Sequence, residues 1–445
     1  MGKIVLIVSY VFPPVGGAGV QRATKFVKYL PEFGWQPIVL TAQNPSVPIF
    51  DKSLLGDVAA NVKIIKAKTY EPAYKAKAAV SASTQEETKQ TRTKSLFKNI
   101  LRQFANLLLQ PDPQILWYPE ARREANRFLT ENRVDAILAT GPPFTSFLLG
   151  SFLAKKHGIP LILDYRDEWD ISNKVLENKN LGKFSLAIQK RMQNRVISRA
   201  KSVIATTKMS AQSLREKIEN IGVSTSVDCI YNGFDVEDFK HDRYAENAKG
   251  SKYLLTYVGT LWNLTSIAPV VTAIKKLVKD YPSLSSSLEF VVAGRRTAEQ
   301  DAILDRLSDS AVSVIRHDYL DHDSAIKLML DSQGLCLTLS DLNSAERVVP
   351  AKVFEYVACR NSIFVIAPKG EVWQLLSDYP RAFFAEPADI ESITKFIVND
   401  IRRFINEGNC KVSSYDASRY DRRALTGELA NLLDQVVSRK SMISD

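Results

Sequence analysis

The chain has 445 residues, enough for two domains, and its hydrophobic (45%) and charged (24%) fractions are typical of a soluble globular protein. No apolar run reaches membrane-spanning length, and four cysteines and four histidines without ligand-like spacing argue against a metal site. The net charge of +10 suits nucleic acid, an anionic membrane or a phosphorylated substrate, but no nucleic-acid-binding signature accompanies it.

The chain opens with KIVLIVSY, which predicts a buried first strand over 3–10 and lacks the length and cleavage site of a signal peptide. The loop FPPVGGAG and the helix VQRATKFVKYL follow, an order that places backbone N–H groups against a phosphate or sugar. A tight turn without a ligand is the alternative. A nicotinamide cofactor is disfavoured, because Arg22 replaces the third fingerprint glycine and no acidic residue follows the strand over 37–41.

A polar stretch separates the next strand, over 62–66, from an amphipathic segment. Residues 71–95 are rich in Lys, Ala, Thr and Gln without periodicity and predict a mobile insertion. Residues 96–110 (LFKNILRQFANLLLQ) carry one apolar helical face after several basic residues. This helix either lies on an anionic membrane surface or docks on its own domain, and the sequence leaves both open.

Charged residues gather after the strand predicted over 161–164. Asp164, Arg166, Asp167 and Asp170 lie in or beside the segment YRDEWD, at the carboxyl end of this strand, where open α/β sheets bind ligands. Asp167 or Asp164 is suited to accept a hydrogen bond from a substrate hydroxyl. An Arg–Asp pair that braces the loop is the alternative.

Strands and helices alternate along both halves of the chain, which predicts two doubly wound α/β domains. The turn at Asn232-Gly233 ends the first half, and the polar run after it predicts a linker. The expected organisation is an N-terminal acceptor-binding domain, a C-terminal nucleotide-binding domain and a last helix that crosses back, over 1–235, 251–418 and 419–445.

The most informative stretch is ERVVPAKVFEYVACRNSIFVIAP, residues 346–368. Pro350 suits the first position of a helix, and Asn361 suits its C-terminal stop. Lys352 and Glu355 share one face near the helix start, where free N–H groups attract a phosphate. A diphosphate beside Lys352 and a ribose diol at Glu355 describe a nucleotide. A surface Lys–Glu pair is the alternative.

This stretch resembles the donor-binding motif of retaining glycosyltransferase family 4. Members of that family have the GT-B fold, two doubly wound Rossmann-like domains facing across a cleft. The resemblance implies that Glu355 holds the ribose of a nucleotide sugar. The family's second glutamate would stand at Arg347, and the nearest carboxylate is Glu346. Glu346 is therefore one candidate catalytic residue. Asp167, which is suited to accept a hydrogen bond from a substrate hydroxyl, is the other.

The family usually places an arginine and a lysine in the loop after the first strand of the second domain, where they neutralise the donor diphosphate. The loop GTLWNLTS has neither. Its Gly259 and Thr260 stay candidate donor-binding positions, and the substitute cations would be Lys352, Arg347 and Arg295 or Arg296. The glycine-rich loop also resembles the family's first loop, and YRDEWD resembles an R-D-x-W motif of relatives. The acceptor-binding candidates that result are Gly16, Gly17, Gly19, Arg22 and Arg166.

The resemblance implies a hexosyltransferase-like enzyme that moves a sugar from a nucleotide sugar to a glycan or lipid-linked acceptor with retention of configuration. Bacterial surface-polysaccharide biosynthesis is the expected setting, and no metal or other cofactor is expected. The protein is expected in the cytoplasm, either free or peripheral at the inner face of an anionic membrane, without a nucleic-acid partner. A GT-B nucleotide-sugar epimerase and a non-catalytic nucleotide-sugar-binding partner remain alternatives.

Overall fold

The computed structural model describes residues 2–74, 109–171, 182–240, 252–408 and 411–441. The chain forms two compact units: unit 1 is built from residues 1–231 and 425–445, and unit 2 from residues 232–424. The amphipathic helix predicted around 96–108 and most of the predicted insertion lie outside the described residues. Within the described ranges, no helix is both long and apolar enough to cross a membrane.

Unit 1 is organised by a sheet of seven parallel strands in the order β3-β2-β1-β4-β5-β6-β7. The central strands are continuous apolar runs with both faces covered, which is the pattern of a parallel sheet. The strands are β1 Lys3–Val8, β2 Trp35–Ala42, β3 Lys63–Ala67, β4 Ala136–Gly141, β5 Leu161–Tyr165, β6 Ser202–Ala205 and β7 Ser226–Cys229.

The helices of unit 1 connect consecutive strands and cover the sheet. Two of them end at a glycine in the left-handed conformation, Gly158 and Gly222, which closes the last turn. In the described ranges before residue 231, the helices are α1 Ala18–Tyr29, α2 Tyr118–Glu131, α3 Thr145–His157, the one-turn α4 Trp169–Ile171, α5 Lys183–Ile197 and α6 Lys208–Ile221.

Unit 2 repeats the arrangement with six parallel strands in the order β10-β9-β8-β11-β12-β13. The strands are β8 Tyr253–Val258, β9 Leu288–Ala293, β10 Ser313–His317, β11 Gly334–Thr338, β12 Ser362–Ile366 and β13 Ala382–Ala385. The helices are α7 Ala268–Asp280, α8 Pro282–Ser285, α9 Ala298–Leu304, α10 His322–Asp331, α11 Lys352–Cys359, α12 Glu371–Leu375 and α13 Ile390–Glu407.

The last helix, α14 (Arg422–Ser441), belongs to unit 1 from Leu425 onward. Its leucines Leu425, Leu429 and Leu433 are buried in the core layer that also contains Val5 of β1 and Trp35 of β2. Unit 1 is therefore made from two separate stretches of chain, with all of unit 2 between them.

Helix α11 differs from its predicted bounds by one or two residues at each end. It begins at Lys352, and Pro350 lies in the turn before it, where its carbonyl accepts from Val353 N. Arg360, with φ of 61°, ends the helix in the left-handed conformation that was expected near Asn361. Asn361 is instead buried and donates to the carbonyl of Met329 at 2.8 Å, which ties the helix end to α10.

Candidate functional site

In unit 2 the strand order reverses between β8 and β11, and parallel sheets bind ligands at the carboxyl ends of the strands beside such a reversal. The loops after these two strands are bonded to each other. Ser340 donates from its backbone N to the carbonyl of Leu264 at 2.7 Å and from Oγ to the carbonyl of Asn263 at 2.6 Å. The loop GTLWNLTS after β8, which we call the donor loop, is therefore held in place at this edge of the sheet.

The donor loop also rests on the loop after β9. Gly259 has φ of 153° and donates to the carbonyl of Ala293 at 2.9 Å, while exposed Thr260 accepts from the Tyr257 hydroxyl at 3.1 Å. Burial raises the pKa of Tyr257 to about 12, so its hydroxyl stays protonated and donates. Gly294 has φ of 130°, and a Cβ there would lie 2.0 Å from the carbonyl oxygen of Gly259. Only glycine allows this approach of two loops.

Substituting Gly294 with alanine tests whether this contact holds the donor loop. We expect Gly294→Ala to destabilise unit 2 by about 1–3 kcal/mol, because the backbone angle is strained for alanine and the new methyl meets backbone. Thermal unfolding measures the loss. Gly56→Ala is the control, since a Cβ there meets nothing within 4 Å. Equal melting temperatures for the two variants would contradict the close approach.

Helix α11 brings the two predicted donor residues into direct contact. Lys352 Nζ donates to Glu355 Oε2, and the Glu355 side chain is 6% exposed against 24% for Lys352. The carboxylate is thus almost withdrawn from water and held by its neighbour, while the ammonium group reaches the surface. The remaining lone pairs of Glu355 are suited to hydroxyl donors of a ligand.

The two neighbouring arginines that follow β9, Arg295 and Arg296, have different contacts in the structure. Arg296 is engaged by the protein: it pairs with Asp301 at 2.8 Å and with Asp318 at 3.2 Å, and donates to the carbonyl of His317. Arg295 is exposed, and its side chain makes no ion pair or hydrogen bond among the described residues. Of the two, Arg295 is therefore the cation available to an anionic ligand.

The segment before α11 carries the other two predicted residues in a one-turn 3-10 helix, Ala345–Arg347. Arg347 donates to Ser344 Oγ at 2.9 Å, so its guanidinium is held against its own turn. Glu346 is half-buried, and no ion pair of its carboxylate occurs among the described residues. Its backbone packs tightly on the next loop, because a Cβ at Gly370 would lie 2.1 Å from the Glu346 carbonyl oxygen.

A histidine that the sequence did not single out lies close to this helix. His322, the first residue of α10, hydrogen-bonds through Nε2 to Asp238 Oδ2 at 2.9 Å. Burial acts to lower the pKa of His322, but the hydrogen bond to Asp238 and the negative charge of Glu355 outweigh it and raise the pKa above 6.5. The partners lie far apart in the sequence, so no local pattern could have revealed the contact.

The raised pKa of His322 gives the stability of unit 2 a defined pH dependence. The protonated form is favoured by folding, so its contribution is complete below the unfolded pKa of about 6.5 and is lost as pH rises through the folded pKa. We expect the melting temperature to fall as pH rises over this window, and His322→Gln to make that fall smaller. His317→Gln is the control and should show the same fall as the wild type. An equal fall in both variants would mean that His322 is not its cause.

In unit 1 the carboxyl end of β5 carries a buried ion pair. Arg22 of α1 donates through Nε and Nη2 to Asp164 Oδ1 at 3.0 and 2.9 Å, and the two side chains are 2% and 1% exposed. Thr140 Oγ1 also donates to Asp164 at 2.9 Å, and Arg22 Nη1 donates to the carbonyl of Tyr231 at 2.9 Å. Both side chains therefore brace β4, β5 and α1 within the protein.

Arg166 joins the two loops that border the same edge of the sheet. Its guanidinium donates to the carbonyl oxygens of Gly19 and Pro142, so it is also a brace in this structure. Gly17 has φ of 100° and precedes α1, and Gly16 donates to the carbonyl of Ile49 at 3.1 Å. The glycine-rich loop is thus fixed at both ends.

Asp167 differs from its neighbours because it has no such partner. Its side chain is half-buried, and no hydrogen bond or ion pair of its carboxylate occurs among the described residues. Burial raises the pKa of Asp167, and the adjacent Arg166 opposes that shift. A partly desolvated carboxylate with a raised pKa is a stronger proton acceptor than an exposed one, which is the property expected of a general base.

One family model and several solved structures are similar to this chain. The family model for the glycosyl transferase 4-like domain matches residues 17–223. Sucrose-phosphate synthase from Thermosynechococcus elongatus is 13% identical, covers 99% of this chain and 98% of its own, and has a TM-score of 0.60. The HepE protein of Anabaena, solved with UDP and glucose, is 13% identical over 99% of both chains, with a TM-score of 0.53.

A third solved structure, the N-terminal domain of trehalose-6-phosphate phosphatase from Candida albicans, is 12% identical, covers 98% of this chain and 97% of its own, and has a TM-score of 0.65. No curated protein matches the sequence. The solved structures share the fold over nearly the whole length of this chain, whereas the family model matches residues of unit 1 alone. This chain therefore has the GT-B fold, with two doubly wound domains, and its residues 17–223 match the model of a glycosyl transferase 4-like domain.

Proposed function

We propose that this enzyme transfers a hexose from a nucleoside-diphosphate sugar to a hydroxyl of a glycan or lipid-linked acceptor, with retention of configuration and without a metal. Bacterial surface-polysaccharide assembly is the proposed setting, on the cytoplasmic side of the membrane. The observation that carries the proposal is the donor set of unit 2, in which buried Glu355, its partner Lys352 and unpaired Arg295 belong to loops and a helix start at the carboxyl edge of one sheet.

The choice of donor follows from the neighbours and from this charge arrangement. HepE was solved in complex with UDP-glucose, and the E. coli trehalose-6-phosphate protein was solved with UDP-2-fluoro glucose. In this chain, Glu355 would accept the ribose hydroxyls, while Lys352 and Arg295 would face the diphosphate. UDP-glucose is therefore the first donor to test.

The chemistry assigned to the chain is mainly electrostatic. The bond between the anomeric carbon and the diphosphate oxygen breaks, and the acceptor oxygen forms the new bond to that carbon. Negative charge grows on the leaving diphosphate, and fixed cations such as Lys352 and Arg295 stabilise it. Asp167 would take the proton of the acceptor hydroxyl, a role that suits a carboxylate whose pKa burial has raised. Glu346 stays a second candidate on the donor side.

A ligand screen tests the proposal directly. Because a ligand that binds only the folded protein stabilises it by mass action, UDP and UDP-glucose should raise the melting temperature of the intact protein. Release of UDP from UDP-glucose should then increase when a hydroxyl acceptor is added. Stabilisation without acceptor-dependent release would favour a binding partner, and a new sugar isomer without acceptor would favour an epimerase. No stabilisation by any nucleoside diphosphate would overturn the proposal.

Contacts of the cations with the diphosphate can be distinguished from contacts with the nucleoside by comparing UDP with uridine. We expect Arg295→Ala and Lys352→Ala each to weaken UDP binding by about 1–3 kcal/mol and to leave uridine binding nearly unchanged, since hydrogen bonds to charged groups have this size. Arg306→Ala is the charge-matched control, because exposed Arg306 lies where the chain returns to the amino end of β10. Titration calorimetry with both ligands decides. Equal losses for UDP and uridine would place these cations away from the phosphates.

A further inference from the structure

Helix α5 of unit 1 presents an outward face that combines cations with large apolar side chains. Among its exposed residues are Lys183, Phe184, Leu186, Lys190, Arg191 and Arg195, which we call the α5 outer face. The helix contains no acidic residue. Its opposite side is buried and includes Val196 and Ile197, which belong to the core of unit 1. The orientation of the helix is therefore set by its own packing.

The cations of the α5 outer face form no ion pair with the part of the chain that the structure describes. Among the described residues, none of Lys183, Lys190, Arg191 and Arg195 takes part in an ion pair. Exposed cations on a nearby helix behave differently, since Arg123 of α2 pairs with Glu120 at 2.7 Å. A helix that served only solubility would gain from mixed charges, because they add favourable pairs and avoid repulsion.

The positive charge of this region extends beyond α5. Arg122 of α2 lies over the Phe152 ring at 4.2 Å, and Arg122, Arg195 and Arg199 all act on the hydroxyl of Tyr118. Burial raises the pKa of Tyr118, and these three guanidinium groups oppose that shift. Cations from α2 and from the end of α5 thus gather around one point of the surface.

The apolar part of the face is exposed to an extent that solubility does not explain. Phe184 is 69% exposed, the highest value among the large hydrophobic residues of the described chain, and Leu186 is 40% exposed. Both lie in the first turn of α5, next to Lys183. An apolar group flanked by cations is suited to the headgroup layer of a bilayer, where the ring leaves water and the cations meet lipid phosphates.

We propose that the α5 outer face is a docking surface for an anionic phospholipid bilayer, with Phe184 and Leu186 entering the headgroup region and the four cations contacting lipid phosphates. Charge complementarity argues for this occupant, since every charged side chain of the face is a cation. A free polyanion would use the cations but gain nothing from Phe184. The inference extends the proposed lipid-linked acceptor, but vesicle binding needs neither donor nor acceptor, so the two proposals fail separately.

The test is co-sedimentation of the full chain with phosphatidylcholine vesicles, with and without phosphatidylglycerol. We expect binding only to the anionic vesicles, with an affinity that falls as salt rises. The double variant Lys190→Glu/Arg191→Glu should lower that affinity at least about tenfold, because it reverses two contacts with a charged surface. Lys275→Glu/Lys279→Glu is the matched control, since it changes the net charge equally on exposed positions of α7 in unit 2.

The apolar contribution has its own pair of variants. Phe184→Ser should weaken vesicle binding several-fold, whereas Ile405→Ser, at a residue 53% exposed on α13, should not. All four variants should keep the wild-type melting temperature and its shift with UDP-glucose. Wild-type protein that ignores anionic vesicles overturns the proposal, and so does equal binding by the two charge variants. Loss with the charge variant but none with Phe184→Ser would indicate a soluble polyanion and would also overturn it.

Discussion

Asp164→Ala is expected to destabilise unit 1 by about 3–5 kcal/mol, because it leaves the Arg22 guanidinium buried without its carboxylate. The Arg22 and Asp164 side chains are 2% and 1% exposed, so water cannot replace the lost partner without opening the structure. Thr140 loses its acceptor as well. For a unit of this size the melting temperature should fall by roughly 10 °C.

An exposed pair in the same unit is the control for this effect. Lys3 and Asp434 lie 2.6 Å apart with side chains 48% and 46% exposed, and Asp434 also accepts from Trp35 Nε1. Lys3→Ala should therefore cost less than about 1 kcal/mol. A loss of similar size in both variants would mean that burial does not set the strength of the Arg22–Asp164 pair.

Replacing both Arg22 and Asp164 tests whether Arg22 only braces the fold or also contacts the substrate. The double variant Arg22→Met/Asp164→Leu removes both charges of this pair, and buried pairs replaced in this way often recover most of the stability. If this variant keeps acceptor-dependent turnover, Arg22 supports the fold alone. If it is stable but inactive, the acceptor role predicted for Arg22 is supported.

Glu355→Ala is the second change with a large expected effect. We expect donor affinity to fall by about 1–3 kcal/mol, which is roughly 5- to 150-fold, because the ribose hydroxyls would lose a charged acceptor. Stability should change little, since Lys352 is 24% exposed and can turn to water. Titration of UDP-glucose into the folded variant measures the effect.

Two further variants sharpen that result. Glu355→Gln keeps one acceptor oxygen without the charge and should lose less affinity than Glu355→Ala. Glu391→Ala removes a carboxylate that is 79% exposed on α13, and its donor affinity should equal that of the wild type. Unchanged UDP-glucose affinity in a folded Glu355→Ala protein would make Glu355 a structural residue.

The sequence predicted the doubly wound fold because parallel strands covered on both faces are continuous apolar runs. The strands predicted over 62–66 and 161–164 are found at Lys63–Ala67 and Leu161–Tyr165. The error at the end of α11 has a tertiary cause: Asn361 was assigned to the cap by residue type, but its amide donates to the carbonyl of Met329 in another helix. Tertiary contact decided which of two adjacent residues adopts the left-handed conformation.

The candidate site was predictable only where it is local. Lys352 and Glu355 are three residues apart on a helix, so spacing alone placed them together. The contacts of His322 with Asp238 and of Gly294 with Gly259 join residues that are distant in sequence, and only the folded chain reveals them. The difference between Arg295 and Arg296 depends on Asp301 and Asp318, which no pattern at the arginines indicates. The roles of the predicted site residues stay predictions.

The divided origin of unit 1 has a consequence for synthesis on the ribosome. The seven strands of unit 1 are translated before unit 2, but Leu425, Leu429 and Leu433, which complete one layer of their core, are translated after it. Unit 2 is one continuous stretch of chain and has no such delay. We therefore expect the later-made unit to reach its native state first, while the nascent strands of unit 1 keep an apolar layer uncovered and depend on chaperones until α14 emerges.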